Sequence, residues 1–149
     1  MNAVRPISLV LIRNGLRLAD VLVVILAALV AYQLYLTKLL DALDGKHVVG
    51  IILAALLTAN IFPFFGLYDE RHWRNWFRQL TRPLLAWTVV GAFLIVATYI
   101  AKVSTDFSRG WVIVWFIAGY VGFVLVRLAL GMLLARWSEI GRLTKAVAV

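Results

Sequence analysis

Of 149 residues, 64% are hydrophobic and 15% charged, whereas a soluble domain carries about 45–50% apolar and about 25% charged residues. Too few polar side chains remain to cover a surface in water, which excludes a soluble globular enzyme and leaves an integral membrane protein. The net charge of +8 lies in short clusters between apolar runs rather than on one solvated face, so nucleic acid is not an expected partner. The absence of cysteine excludes disulfides, thiolate nucleophiles and cysteine metal sites.

A basic arm over residues 1–17 carries Arg5, Arg13 and Arg17. It leads into a first apolar run, 18–37, which is longer than the apolar stretch of a secretory signal and lacks a small-x-small cleavage site after it, so it is expected to remain as a span. A neutral turn over 38–47, with Asp41, Asp44 and Gly45, joins it to the second run, 48–68. There Pro63 cannot donate to the carbonyl of Ala59, which predicts a kink with Thr58 or Asn60 compensating the freed carbonyl. The third run is 83–101. The connection 102–110 offers Ser104, Asp106 and Ser108 as caps for the fourth run, 111–135. Gly119, Gly122 and Gly131 permit close helix contact in that run, although the i, i+3 spacing of the first two is not the GxxxG pattern.

Even the shortest run, 83–101, reaches about 28 Å at about 1.5 Å per residue, against a hydrocarbon core of about 30 Å. Unpaired backbone groups are prohibitive in lipid, so all four runs are expected to be helices. The predicted fold is all-α: an antiparallel bundle of four transmembrane helices over residues 18–137. Lys and Arg counted by side set the orientation. Arg5, Arg13, Arg17, Arg71, Arg74, Arg78, Arg82, Arg136, Arg142 and Lys145 fall on one side, and Lys38, Lys46, Lys102 and Arg109 on the other. The richer side is expected to be cytoplasmic, with both termini and the middle loop facing it.

Between the second and third runs, ERHWRNWFRQLTR at 70–82 is amphipathic at helical spacing. Trp73, Trp76, Phe77 and Leu80 form one stripe, and Arg71, Arg74, Arg78 and Arg82 the opposite face. An interfacial helix is expected here, with rings at headgroup depth and guanidiniums on the phosphates of anionic lipid. It serves either as a platform for a phosphorylated lipid or as a plain anchor between two spans. Asp69 and Glu70, beside Arg71 and Arg74, read as ordinary neighbouring charges.

Arg127 is the one basic residue inside a run, and an intramembrane charge needs a partner, water or a route to the interface. Asp20, near the same end of the first span, is the expected partner in a structural intramembrane pair. Snorkelling alone and a contact with a substrate phosphate are the alternatives. His47 and His72 are predicted on opposite sides of the membrane and cannot share a metal. No catalytic, cofactor-binding or metal residues are expected: no carboxylate pair suited to one site, phosphate-cradling glycine loop or Ser-His-Asp set is present.

The tail ARWSEIGRLTKAVAV is expected to leave the helix at Gly141 and to run into a β-type segment at its end. Residues 138–149 are therefore taken as a cytoplasmic linker and the first strand of a truncated α/β domain, the chain being a fragment of a longer polypeptide. The order GLYDERHWRNWFRQLTRPLLAW, DFSRGWVIVWFIAGYVGFVLVRLAL and GRLTKAVAV resembles the N-terminal membrane region of the large bacterial polyprenyl-phosphate hexose-1-phosphate transferases over residues 18–149. The more specific elements are Tyr68 with the acidic, basic and aromatic residues after it, Phe107-Ser108-Arg109, Arg127 and the strand-like end.

The resemblance implies that a Rossmann-like domain follows, and then a catalytic domain with an Asp-Glu dyad working with Mg²⁺. That domain passes a sugar phosphate from a UDP-sugar to undecaprenyl phosphate in capsule, exopolysaccharide or O-antigen synthesis. On this reading the chain is a non-catalytic anchor and assembly module without a cofactor of its own. Its expected partners are membrane lipids, undecaprenyl phosphate, the later domains and a second copy of itself. The alternative is a self-contained four-helix protein such as a small flippase of polyprenyl-linked sugars. Polar groups converging on a mid-membrane cavity would favour the flippase, and a tightly packed bundle the anchor.

Overall fold

The computed structural model describes the backbone of residues 5–36, 44–69 and 75–147, and within them the side chains of 10–35, 44–69, 75–105 and 107–136. Four helices form: α1 (Arg5–Leu36), α2 (Gly45–Phe64), α3 (Trp76–Ile100) and α4 (Arg109–Val147), with a 3₁₀ turn at Ser104–Asp106 before the last. Each contains a segment long and apolar enough to cross a membrane: Val10–Tyr35, Gly45–Phe64, Trp76–Ile100 and Arg109–Arg136. The protein is a membrane protein, and its described residues are helical where they are regular.

Each helix packs against the next, and α4 closes on α1 along the most extensive contact. The α1–α4 register is visible in side chains: Asp20 meets Arg127, Trp115 Nε1 donates to the carbonyl of Val24 at 3.0 Å, and Trp111 Nε1 to that of Ala28 at 3.4 Å. Residue numbers rise along one helix as they fall along the other, so the pair is antiparallel. One end of the bundle gathers Arg13, Arg17, Arg78, Arg82 and Arg136 and is called the arginine end below.

Lipid is as apolar as leucine, so these helices cannot be held together by excluding water; close packing and internal hydrogen bonds must do it. The sequence is divided accordingly. On α1, Leu18, Leu22, Leu26, Val30 and Leu34 point outward, whereas Asp20, Val24, Ala27, Ala28 and Ala31 are buried. On α4, Trp111, Trp115, Phe123 and Arg127 face inward at multiples of four, and Ile113, Ile117, Val121 and Leu125 face outward. Large aliphatic residues thus meet acyl chains, while small residues and aromatic rings fill the interior.

The centre of that interior is Trp87 of α3, fully buried. Its ring stacks on Phe116 at 4.8 Å between centroids and meets Phe123 edge-on at 5.5 Å, and its indole N–H donates to the Phe116 carbonyl at 3.3 Å. Gly119 makes room for it: a Cβ there would lie 2.8 Å from Trp87 Nε1.

Several boundaries differ from the sequence expectation. Helix α1 starts at Arg5, so Arg5, Arg13 and Arg17 belong to it rather than to a separate arm. Pro63 stands next to the last residue of α2, and the chain turns there instead of kinking onward to residue 68. The turn is closed by Gly66, whose φ of 65° is the left-handed conformation glycine adopts without strain. Its N–H donates to the Pro63 carbonyl at 3.0 Å.

Residues 76–82 are the first turns of α3 and run straight through Pro83. Among the described residues they form no separate helix, although Pro83, the eighth residue of α3, removes the donor that the Gln79 carbonyl would otherwise use. Residues 70–74, and with them Trp73 of the expected stripe and Arg71 and Arg74 of the opposite face, lie outside the described residues. Helix α4 continues through Gly141 to Val147, so neither the stop at Gly141 nor a strand beginning at Ala146 is found. A glycine inside a helix costs only about 1 kcal/mol relative to alanine, and no described strand offers Ala146 a ladder to join. Residues 148 and 149 lie outside the description.

Candidate functional site

The proline at position 63 leaves the carbonyl of Ala59 without its helical donor, and the structure supplies one from another helix: Arg17 Nη2 donates to it at 3.3 Å. Neither expected substitute does so. Asn60 Nδ2 donates instead to the Leu56 carbonyl at 2.7 Å, and the buried Thr58 hydroxyl has no partner. One helical turn from Arg17 on α1, Asp20 is fully buried and points into the bundle.

Arg127 of α4 meets Asp20 there. Its Nη2 donates to Asp20 Oδ2 at 2.9 Å, and the Tyr68 hydroxyl donates to the same oxygen at 2.8 Å. The Arg17 guanidinium lies over the Tyr68 ring, 5.7 Å from its centroid, a cation–π distance. Two helices and the turn after α2 are therefore tied together by one carboxylate. Burial first, then the neighbouring Asp20 charge, raises the Tyr68 phenol above its usual range, which keeps the hydroxyl a donor.

Beside this knot lies a narrow crevice of about 10 Å³ lined by Leu16, Gly66, Leu67, Arg78, Gln79, Arg82, Pro83 and Arg127. Arg82 Nη1 reaches the carbonyls of Phe65 and Gly66 at 3.1 and 3.4 Å, pinning the start of α3 to the turn. Arg78 is exposed. Trp76, about half exposed, rests against Gly131 of α4, and Phe77 projects outward. Of the residues expected at the lipid interface, Trp76, Phe77, Arg78 and Arg82 are thus brought to the arginine end, while Arg71, Trp73 and Arg74 lie outside the described residues.

Sequence reasoning missed Tyr68 and Arg17. The i, i+3 spacing of Arg17 and Asp20 beside a span rich in alanine was the available sign, but their contacts depend on a turn whose path no periodicity fixes. It also missed the setting of His47 at the other end of the bundle, which is buried among the rings of Tyr32, Phe107 and Trp111 at 5.3, 5.6 and 4.7 Å. Also at that end is an apolar groove of about 330 Å³ lined by Leu94, Trp111, Phe116 and others, with Arg109 and Ser104 among its lining. Among the described residues, no three His, Cys, Asp or Glu gather to hold a metal ion.

A family model described as a CoA-binding domain matches residues 63–149, the stretch holding Tyr68, Arg82 and Arg127. The UDP-glucose:undecaprenyl-phosphate glucose-1-phosphate transferase of Xanthomonas campestris pv. campestris is 32% identical over 120 residues, covering 75% of this chain and 23% of that protein. The chain thus spans about a quarter of that relative's length. No solved structure matches. The chain belongs to this family, and to the membrane region of the bacterial polyprenyl-phosphate hexose-1-phosphate transferases in which it occurs.

Proposed function

We propose that this chain is the membrane anchor and assembly module of a phosphoglycosyl transferase that moves a sugar phosphate from a UDP-sugar to undecaprenyl phosphate. Its site would be the inner membrane, with the arginine end and both termini cytoplasmic, at the start of capsule, exopolysaccharide or O-antigen synthesis. The observation that carries the reading is the carboxylate knot: Asp20 Oδ2 accepts from Arg127 of α4 and from Tyr68 after α2, both at under 3 Å. A bundle locked at that end suits a support for domains working at the leaflet surface. Asp20, Arg127 and Tyr68 close on one another rather than line a passage, and the larger cavities are apolar, which supports an anchor over a flippase. Trp73, Arg71 and Arg74 are proposed to continue the interfacial surface that Trp76, Phe77, Arg78 and Arg82 begin.

The test replaces residues 1–137, in the complete polypeptide that carries them, with an unrelated four-span bundle of the same topology. Transfer of labelled sugar phosphate to undecaprenyl phosphate is then measured in isolated membranes. An anchor predicts that turnover stays within about tenfold of the original, a change of about 1.4 kcal/mol in barrier. Complete loss, at equal expression and membrane content, would contradict it.

A further inference from the structure

We propose that the crevice at the arginine end binds a phosphate group, taking one of its oxygens between Arg127 and Gln79 while Arg78 and Arg82 hold the others at the mouth. Two donors define the site. Arg127 is 2% exposed, and only its Nη2 is used by Asp20; Nη1 is enclosed without an acceptor. Gln79 Nε2, from another residue of the crevice lining, is likewise enclosed and unmatched. Leaving buried donors unmatched is costly, and both of these side chains line the same crevice.

The size of the space selects what can answer them. About 10 Å³ admits one oxygen atom, at the lower limit for a single water, and is too small for a whole phosphate. A phosphate therefore sits at the mouth with one oxygen inserted. Arg78 and Arg82 stand there, and a planar guanidinium matches the spacing of phosphate oxygens. Arg82 is already oriented by the Phe65 and Gly66 carbonyls through Nη1, which leaves its remaining N–H groups for a ligand. Asp20, the acid nearest Arg127, has its Oδ2 occupied by Arg127 and Tyr68, while its Oδ1 is enclosed without a donor and is not among the groups lining the crevice.

The phosphate comes either from an anionic lipid or from solution, and the same residues serve both. The inference rests on the reading above only for placing this end at the membrane surface, and not on any transfer chemistry. The chain in detergent would be examined by native mass spectrometry with dioleoyl phosphatidic acid, with dioleoylglycerol as the phosphate-free match, and with inorganic phosphate alone. Phosphatidic acid is expected to bind about tenfold more tightly than dioleoylglycerol, and Arg78→Gln to remove most of that difference, about what one charge-assisted contact contributes. Arg109→Gln, at the opposite end, should leave it unchanged.

Retention of phosphatidic acid in excess inorganic phosphate assigns the site to a lipid headgroup; displacement by inorganic phosphate, with the same Arg78 dependence, assigns it to a free anion. Equal binding of the two lipids together with no phosphate binding would overturn the proposal, as would affinity unaltered in Arg78→Gln. Because Arg78 is exposed, that variant should fold even if an Arg127 variant does not. The anchor reading would survive such a result, since lipid affinity and the chimera's turnover are separate measurements.

Discussion

Asp20→Asn is expected to unfold the bundle at markedly lower denaturant or temperature, because it leaves the Arg127 guanidinium buried without a counter-charge. Breaking one side of a buried pair costs about 3–5 kcal/mol, and a charge facing lipid instead of water has no cheaper refuge. Arg127→Met should cost a similar amount. Tyr68→Phe removes one hydrogen bond to a carboxylate and should cost less, about 1.5–3 kcal/mol. The double variant Asp20→Leu with Arg127→Met removes both charges, and it is expected to recover most of the loss, since a well-packed apolar pair often matches a buried ionic one. Unfolding of these variants and of Asp20→Leu alone in mixed micelles, followed by tryptophan fluorescence, measures the cycle. Additive single losses with no recovery in the double variant would mean that the two residues act independently despite their 2.9 Å contact.

Trp87→Ala should produce the second large loss, for a different reason. In a water-soluble protein a Trp-to-Ala change forfeits both transfer energy and packing. Here the transfer part is small, because an exposed tryptophan would meet lipid rather than water. What remains is the cavity, and at about 24 cal/mol per Å³ a void of roughly 100 Å³ costs about 2.4 kcal/mol. The stack on Phe116 and the contact with Phe123 disappear with it. Trp87→Phe, which keeps a ring in place, should lose less than half as much in the same unfolding assay. A Trp87→Ala variant as stable as the original would show that the fully buried ring does not organise the core.

The spans were legible because lipid leaves the backbone no choice: four long apolar runs must pair their own N–H and C=O groups, and helices do so. Arg127 was legible as a residue in need of an explanation for the same physical reason, and Asp20 stood out as a partner among three readings. The ends of the elements were harder. Pro63 looked like a kink because the apolar run continued to Tyr68, yet the chain turns at Gly66 and the freed Ala59 carbonyl is served by Arg17 from another helix. Tertiary supply of a donor leaves no mark on local periodicity. The segment 70–82 looked amphipathic and separate, and its described part, 76–82, opens α3; amphipathicity does not distinguish a helix lying in the interface from the first turns of a span entering it. Trp111, Trp115, Phe123 and Arg127 recur at multiples of four, and that inward stripe was available to a reader who followed the rings rather than hydropathy alone.

The anchor role and the phosphate site both need the arginine end to face the cytoplasm together with both termini. The chain contains no cysteine, so single-cysteine variants report topology without background. Arg13→Cys and Asn75→Cys mark the arginine end, and Asp44→Cys and Lys102→Cys the opposite one. In spheroplasts, a membrane-impermeant maleimide is expected to label positions 44 and 102, and to reach 13 and 75 only after the membrane is permeabilised. Labelling of position 13 or 75 from outside in intact spheroplasts would contradict the account.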